Sequence, residues 1–520
     1  MEPKYYDMIV VGAGPAGAIA AYHLAGRGYQ VLILEKDYFP RHKPCGGGLT
    51  YRALDLLPFS IDPLIESSIH SFRFTHRFKK EFIRHSEQPL MVCIMRDRFD
   101  QFLVDKAREK GADFMEGIKV SGFTETFDKV LVHAEGQEFA ASFVIGADGV
   151  NSLTAKTYLL NQNIRKGIGI ESEVRVQEDQ LERFRSMAGL DWGTFVEGYA
   201  WVFPKADHLS IGVGGPVGLA RHLKHYYFRF LESLHMGDVE IISFRTFPIP
   251  YRTGYSRLQA SRVLVAGDAA GLTDPMTGEG IYYALKSGKI AASVIMDYLE
   301  GTTTHPYSYR QRLEDEVVSE LLSAFPLLRI FNSAPALIHS LMRKKSRLWR
   351  GFCKVLRGEV RYSQFKDKMG RYSFLWKPLI GRHDDRTGQK NEFQGKKAQK
   401  SLNSEHFLHQ SRDGLIIGFP GEFRRGGSHH PAHIFDRRSA QFGNDAGNCH
   451  FHLLRAHLFR KVLFDYRGLK KLCTGQVFPL LRPVDIRCFL SLFDKFLQQS
   501  DLFFRVDLLF TSFGTKQQQG

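Results

Sequence analysis

The chain lacks any apolar run of about 18 residues, the length a membrane-crossing helix needs, so no transmembrane segment is expected. Cysteine is sparse: Cys45, Cys93, Cys353, Cys449, Cys473 and Cys488 are scattered through 520 residues with no CxxC pair. This argues against a zinc ribbon, an iron–sulfur ligand set or a disulfide framework, and no metal site is expected. The opening residues, MEPKYYD, have no leader-like pattern and run straight into a hydrophobic stretch. Together with the unpaired cysteines this points to a reducing, cytoplasmic setting. No recognisable nucleic-acid motif accompanies the formal net charge of +16. The charge is local: residues 371–520 hold 24 Lys+Arg against 13 Asp+Glu, leaving 47 against 42 for the first 370. Nucleic acid is therefore not expected as a partner. A second GxGxxG is also missing, which leaves the electron donor of any redox chemistry open between NAD(P)H and ferredoxin.

Two glycine-rich segments, far apart in the chain, are what is present. In the first, an apolar run at 8–11 meets GAGPAG, and a second apolar run at 31–34 ends in Glu35 and Lys36, both expected at the cofactor. Gly12 permits a tight turn, Gly14 lets backbone amides approach a pyrophosphate, and Gly17 lets the next helix pack closely on the strand. Ala13, Pro15 and Ala16 complete the loop and the helix start, whose amides and dipole favour phosphate. Glu35 stands where an acidic side chain accepts ribose hydroxyls. The second segment, RVLVAGDAAGLTDPMTGEGIYYALKSG at 262–288, reads as a buried strand, a turn with Gly267 and Asp268, and a loop with Pro275, Gly278 and Gly280. That loop opens onto a helix at Ile281. Asp268 is suited to a ribityl hydroxyl, the Gly267 backbone to phosphate, and the helix-start amides to the pyrimidine edge of a flavin. Together the segments indicate FAD, held from both ends.

A chain of this length exceeds one core. Residues 1–160 and 261–300 read as a discontinuous α/β nucleotide-binding domain of Rossmann type. Residues 161–260 alternate apolar and polar positions and read as an inserted antiparallel sheet covered on one face, forming a substrate domain. Residues 301–373 read as helical, with breaks at Pro326 and Pro335. Residues 374–520 lose clean periodicity and read as a poorly ordered tail, even a read-through extension, with a small helical domain as the alternative.

GAGPAG, the Asp-Gly pair at 148–149 and the 262–288 segment together resemble flavoproteins of the p-hydroxybenzoate-hydroxylase-like fold. KPCGGGL at 43–49 and GYAWVFPK at 198–205 narrow this to a resemblance to the geranylgeranyl reductase family, spanning roughly residues 5–373 and closing on GEVRYSQF at 358–365. The resemblance implies that Asp148 buttresses the pyrophosphate region, that Arg96 in RDRFD lies near the ribityl and phosphate groups, and that Val120 also belongs to the cofactor site. It places Cys45 and Gly46 beside the flavin.

Cys45 is then either a proton donor to the reacting alkene or a small apolar filler. Tyr199, Trp201 and Phe203 alternate along a strand and project from one face, an aromatic wall for a long apolar substrate, with Pro204 beside it breaking the ladder and letting the chain leave the sheet. Tyr199 is the second candidate acid. The implied activity is reduction of carbon–carbon double bonds in a geranylgeranyl or other isoprenoid lipid or pigment, by hydride from reduced flavin. A flavin monooxygenase for apolar small molecules and an electron-transfer flavoprotein are the alternatives. Basic residues from Arg343 to Arg361, interleaved with Leu341, Leu348, Trp349, Phe352 and Leu356, suggest peripheral contact with the inner face of an anionic membrane.

Overall fold

The computed structural model describes residues 3–303 and 308–364; the tail expected from 374 lies outside them. The apolar run Met8–Val11 belongs to the strand Lys4–Val11 and is almost wholly buried. It sits inside a parallel core ordered Val263–Val265, Gln137–Gly146, Lys4–Val11, Val31–Leu34, Asp113–Met115. Strands buried on both faces read as continuous hydrophobic runs. The helices Pro15–Ala25 and Ile281–Leu299 pack against each other on this sheet, as Ala16, Ala20, Ile290 and Ala291 in one core cluster require. The sheet therefore joins residues 4–11 to residues 263–265, as the two motifs demand.

A second sheet has the order Glu240–Arg252, Ile164–Arg175, Leu209–Pro216, Tyr199–Pro204, Met187–Trp192, Ser71–His76, Lys79–His85. Two of its strands come from residues 71–85, ahead of the expected 161–260, and one neighbouring pair, Met187–Trp192 with Ser71–His76, is parallel. The expectation of one covered face also fails. The helix Ala220–Ser233 covers Ile170, Val174, Val202, Ile211 and Val213 on one side. On the other side Glu171 and Trp201 are 1% and 6% exposed. The alternation is real, but its polar phase points into the protein. Pro204 ends its strand as expected, yet the chain does not leave the sheet: the Lys205 amide bonds His208 O at 2.8 Å and the chain reverses into Leu209–Pro216.

In the helical part Pro326 lies within the helix Ser319–Ser333 and does not break it. Pro335 does begin a new helix, Pro335–Lys344, where its missing N–H costs nothing, and the axis turns by 94°. No single described helix is long and apolar enough to cross a membrane. The amphipathic helix Ser346–Leu356 has a protein partner for its apolar face: Trp349 packs edge-on against Phe72 and Phe74, and its indole N–H donates to His85 O at 2.9 Å.

Candidate functional site

The phosphate loop is built by steric necessity. Gly12 has φ of +99°, and a Cβ there would fall 2.4 Å from Ala147 O. A Cβ on Gly17 would fall 2.0 Å from Gly12 O and 2.9 Å from Val10. Gly14 differs: a Cβ there would meet only an Arg41 nitrogen at 3.7 Å, so the space above its backbone is open to a ligand. The helix that follows starts at Pro15 without a side-chain cap. Glu35 is 6% exposed and accepts the Ala13 amide at 2.8 Å and the Asp37 amide at 3.1 Å. Its remaining lone pairs suit ribose hydroxyls. These residues fit the adenosine and pyrophosphate parts of FAD.

The second motif meets the first directly. A Cβ on Gly267 would come within 3.0 Å of Ala16 Cβ, and one on Gly288 within 2.2 Å of Ala16 O. Asp268 leads this turn, and a Cβ on Gly280 would lie 3.7 Å from its Oδ1, so the loop before Ile281 passes beside it. The helix Ile281–Leu299 also begins without a side-chain cap. The Gly267 amide is not available to phosphate, however: it donates to Ser287 Oγ at 2.9 Å, because that helix carries Ser287 beneath the turn.

Pro275 and Gly278 lie in a loop held on all sides. Asp274 Oδ1 accepts the Met276 amide at 2.8 Å, and Tyr362 Oη donates to Asp274 Oδ2 at 2.8 Å. Arg52 pairs with Glu279. Tyr199 Oη donates to Thr277 O at 2.5 Å. A Cβ on Gly278 would stand 2.8 Å from that hydroxyl, so this glycine leaves room for Tyr199 and not only for a cofactor ring.

Tyr199, Trp201 and Phe203 do share one face. The rings of Tyr199 and Trp201 lie 5.9 Å apart, and the wall stands on the Cys45 loop. A Cβ on Gly46 would be 2.7 Å from both Phe203 Cδ2 and Trp201 Nε1. Cys45 Sγ accepts the Gly47 amide at 3.4 Å. Arg96 is buried rather than exposed at its helix start, bonded to Asp100 in bidentate fashion at 2.9 and 2.8 Å. Burial opposes its charge, but Asp100 and, after it, the Cys45 sulfur hold the guanidinium firmly protonated. Arg41 joins the cluster, 3.1 Å from Asp100.

Three expected site residues have their side chains engaged elsewhere. Lys36 is 59% exposed and pairs with Asp37 at 2.5 Å. The Val120 side chain packs in the core with Leu32 and Leu34. The Asp148 carboxylate is engaged by Ser152 Oγ at 2.5 Å and by the Thr154 amide at 3.0 Å, so it fixes the turn behind Gly12.

The alternation along residues 164–175 concealed the site's charged groups. Glu171 and Glu173 project from the same face as the aromatic wall, and Lys205, 3% exposed, donates to Gly46 O at 2.9 Å and Ile94 O at 2.8 Å. Burial first, then the hydrogen bond and charge of Glu173, raise Glu171 to about 9. Burial pushes Glu173 up too, but His208, 2.9 Å away, with Glu171 and the Lys205 charge brings it below the ordinary range. The signal lay in two glutamates spaced by two on a strand whose other phase is apolar.

Comparison with known proteins follows the same lines. Residues 5–192 match the family model described as an FAD binding domain. The chain is 30% identical over 349 residues to digeranylgeranylglycerophospholipid reductase 1 of Methanopyrus kandleri, covering 62% of this chain and 89% of that one. It is 29% identical over 308 residues to the chloroplastic geranylgeranyl diphosphate reductase of Nicotiana tabacum, covering 55% of this chain and only 65% of that protein. The fold matches that of a geranylgeranyl bacteriochlorophyll reductase-like protein from Thermoplasma acidophilum. There the TM-score is 0.57 and the identity 24%, covering 64% of this chain and 88% of the other.

Proposed function

The chain belongs to the geranylgeranyl reductase family of FAD-binding oxidoreductases, and from this premise we propose that it reduces carbon–carbon double bonds of an isoprenoid chain carried by a lipid or pigment. The observation that carries the reading is the aromatic face of Tyr199, Trp201 and Phe203 standing on the Cys45 loop, beside the loop that leads to Ile281. Bound FAD supplies, once reduced, the hydride. Gly14, Glu35, Asp268, the amides at Ile281, Arg96 and Arg41 would hold it.

The chain's own residues do the rest. The wall orients an apolar chain and excludes water, and an isolated alkene needs such positioning because it is not electrophilic. Cys45 gives the proton that the second carbon requires. Tyr199 does not: burial and then Asp274 raise its hydroxyl well above the ordinary value, and its proton is committed to Thr277 O. It ties the sheet to the loop.

The test is anaerobic. The flavin of the purified protein is reduced and geranylgeranyl lipids are added; reoxidation with a gain of two hydrogens per double bond supports the reading. Oxygen consumption with hydroxylated product would favour a monooxygenase instead. The membrane contact rests on charge alone, since the apolar face of Ser346–Leu356 is packed on Phe72 and Phe74. Binding to anionic but not neutral vesicles at low salt would support it, and no binding to either would remove it.

A further inference from the structure

The loop that leads to Ile281 carries a carboxylate at its mouth. Glu279 stands between Gly278 and Gly280, its side chain 9% exposed, just before the helix whose first amides are assigned to the cofactor. A Cβ on Gly280 would lie 3.7 Å from Asp268 Oδ1 and one on Gly278 2.8 Å from Tyr199 Oη, so the loop reaches from the Asp268 turn to the aromatic wall. A buried carboxylate is costly unless it is paired. Its partner is Arg52, 10% exposed, whose Nε donates to Glu279 Oε2 at 3.1 Å and whose Nη2 bonds the same oxygen. The Thr50 hydroxyl donates to the other oxygen. Thr50 ends the strand Gly48–Thr50, which runs on from the Cys45 loop, so the pair ties that loop to the flavin loop. Arg52 is itself held on several sides. Its guanidinium lies 4.4 Å from the Tyr282 ring centre, 5.2 Å from that of Tyr283 and 4.0 Å from Asp274 Oδ2. Asp274 is occupied by the Met276 amide and the Tyr362 hydroxyl, which leaves the cation to Glu279. A Cβ on Gly358 would fall 2.8 Å from Arg52 Cβ.

Resting on the flavin placement given above, and not on which alkene is reduced, we propose that Arg52 is a positioning residue that sets the reduction potential of the bound flavin by cancelling the charge of Glu279. Uptake of two electrons and one proton by a flavin leaves a net negative charge on its pyrimidine side. An unpaired carboxylate in the same water-poor loop opposes that charge, and an unpaired guanidinium favours it. With both present, the loop keeps its tie to Thr50 without a penalty on reduction. A hydrogen-bonding role alone would need no cation here, since a neutral side chain could receive the Thr50 proton equally well. The other titratable groups around Glu279 are Asp274 in its own loop, Tyr282 and Tyr283 on the helix that follows, and Tyr362 beyond Asp274. Burial raises all three of these tyrosine hydroxyls, so they stay protonated and neutral.

The two partners should therefore act with opposite sign. The FAD-loaded full chain is titrated anaerobically with dithionite beside a dye of known potential, with no substrate present, and each variant is compared with the wild type at the same pH. Glu279→Gln keeps an acceptor for Thr50 and leaves the Arg52 charge uncancelled. Its reduced-to-oxidised ratio at a fixed potential should rise about tenfold, which is about 30 mV upward for a two-electron couple. Arg52→Met should move the potential downward by a similar amount at about pH 9, and by less than about twofold in the ratio at about pH 6, where the carboxyl left without its cation takes up a proton. Arg52→Lys keeps the charge and should stay within about threefold of the wild type. Arg52→Met combined with Glu279→Gln removes both charges and should return to the wild-type potential. A loosened loop would instead move both single variants and the double the same way; that result, or an unmoved Glu279→Gln, overturns the proposal. Should Arg52→Met not fold, the double variant must lie below Glu279→Gln, and equality of the two overturns it. Asp268→Ala separates the placement from the tuning: about tenfold weaker FAD binding is expected. Wild-type affinity would remove the placement, whereas weaker binding with unmoved potentials in the Glu279 and Arg52 variants would remove the tuning alone.

Discussion

Substituting Gly46 by alanine tests the packing of the wall on the Cys45 loop. The added Cβ would stand 2.7 Å from Phe203 Cδ2, 2.7 Å from Trp201 Nε1 and 3.0 Å from Phe203 Cε2. Ordinary carbon contacts begin at about 3.5 Å, so three contacts are each short by roughly 0.5–0.8 Å. Retreat is blocked for Trp201, whose far ring already occupies the place a Gly212 side chain would take, 2.1 Å from that position, and which is 6% exposed. Gly46 does not have a positive φ, so no backbone strain adds to the steric term. Overpacking of this kind costs about 1–3 kcal/mol. Equilibrium urea unfolding of the FAD-loaded chain, followed by tryptophan and flavin fluorescence, should show a lower midpoint for Gly46→Ala. Gly218→Ala, with nothing within 4 Å of its Cβ, should change stability by no more than about 0.5 kcal/mol. Adding Phe203→Leu to Gly46→Ala should recover part of the loss, a coupling of about 0.5–2 kcal/mol. A wild-type midpoint for Gly46→Ala, or strict additivity in the double variant, would show that the wall does not rest on this loop.

Three further outcomes are expected. Glu171 is raised in the folded state to about 9 from 4.5, so between these values the folded chain keeps a proton that the unfolded chain has released. Wild-type stability contributed by this proton is complete below about pH 4.5 and falls by up to about 1.4 kcal/mol per pH unit until pH 9. Stability curves of the wild type and Glu171→Gln should therefore converge or cross as pH rises through this window, and parallel curves would contradict the buried protonated carboxyl. Tyr362→Phe removes the donor to Asp274 Oδ2 and leaves that buried oxygen without it, at a cost of about 1–3 kcal/mol. Faster release of FAD on dilution, read by fluorescence recovery, should follow; an unchanged release rate would detach Tyr362 from the flavin loop. Cys45→Ser should keep the flavin absorbance and lose at least about tenfold in turnover; full turnover with FAD bound would end its role as proton donor.

How much was readable from sequence depended on the kind of constraint. Gly12 and Gly17 are dictated by backbone atoms only a few residues or one strand away, so their spacing alone announces the phosphate cradle. The aromatic wall was legible because strand alternation fixes which side chains share a face. The same alternation misled at Glu171 and Glu173, where charged residues read as a wet face. Nothing in residues 164–175 says that the Cys45 loop covers them or that Lys205 will arrive from the next hairpin. Gly278 was correctly singled out but its reason was incomplete, since the hydroxyl that fills its side-chain space belongs to Tyr199 on another sheet. Pro326 read as a helix break because its local penalty is large; surrounding packing of Leu321, Ala324 and Leu328 carries the helix through it.

The bond from Tyr362 to Asp274, with Glu320 holding the amides of Tyr362 and Ser363, has a consequence for biosynthesis. A nascent chain that has just emerged past Leu299 already owns both phosphate-side turns, yet the latch on its flavin loop has not been translated. The polypeptide must wait for its own late-made segment before that loop is locked, so the order in which the ribosome delivers residues sets when the nucleotide can be captured for good.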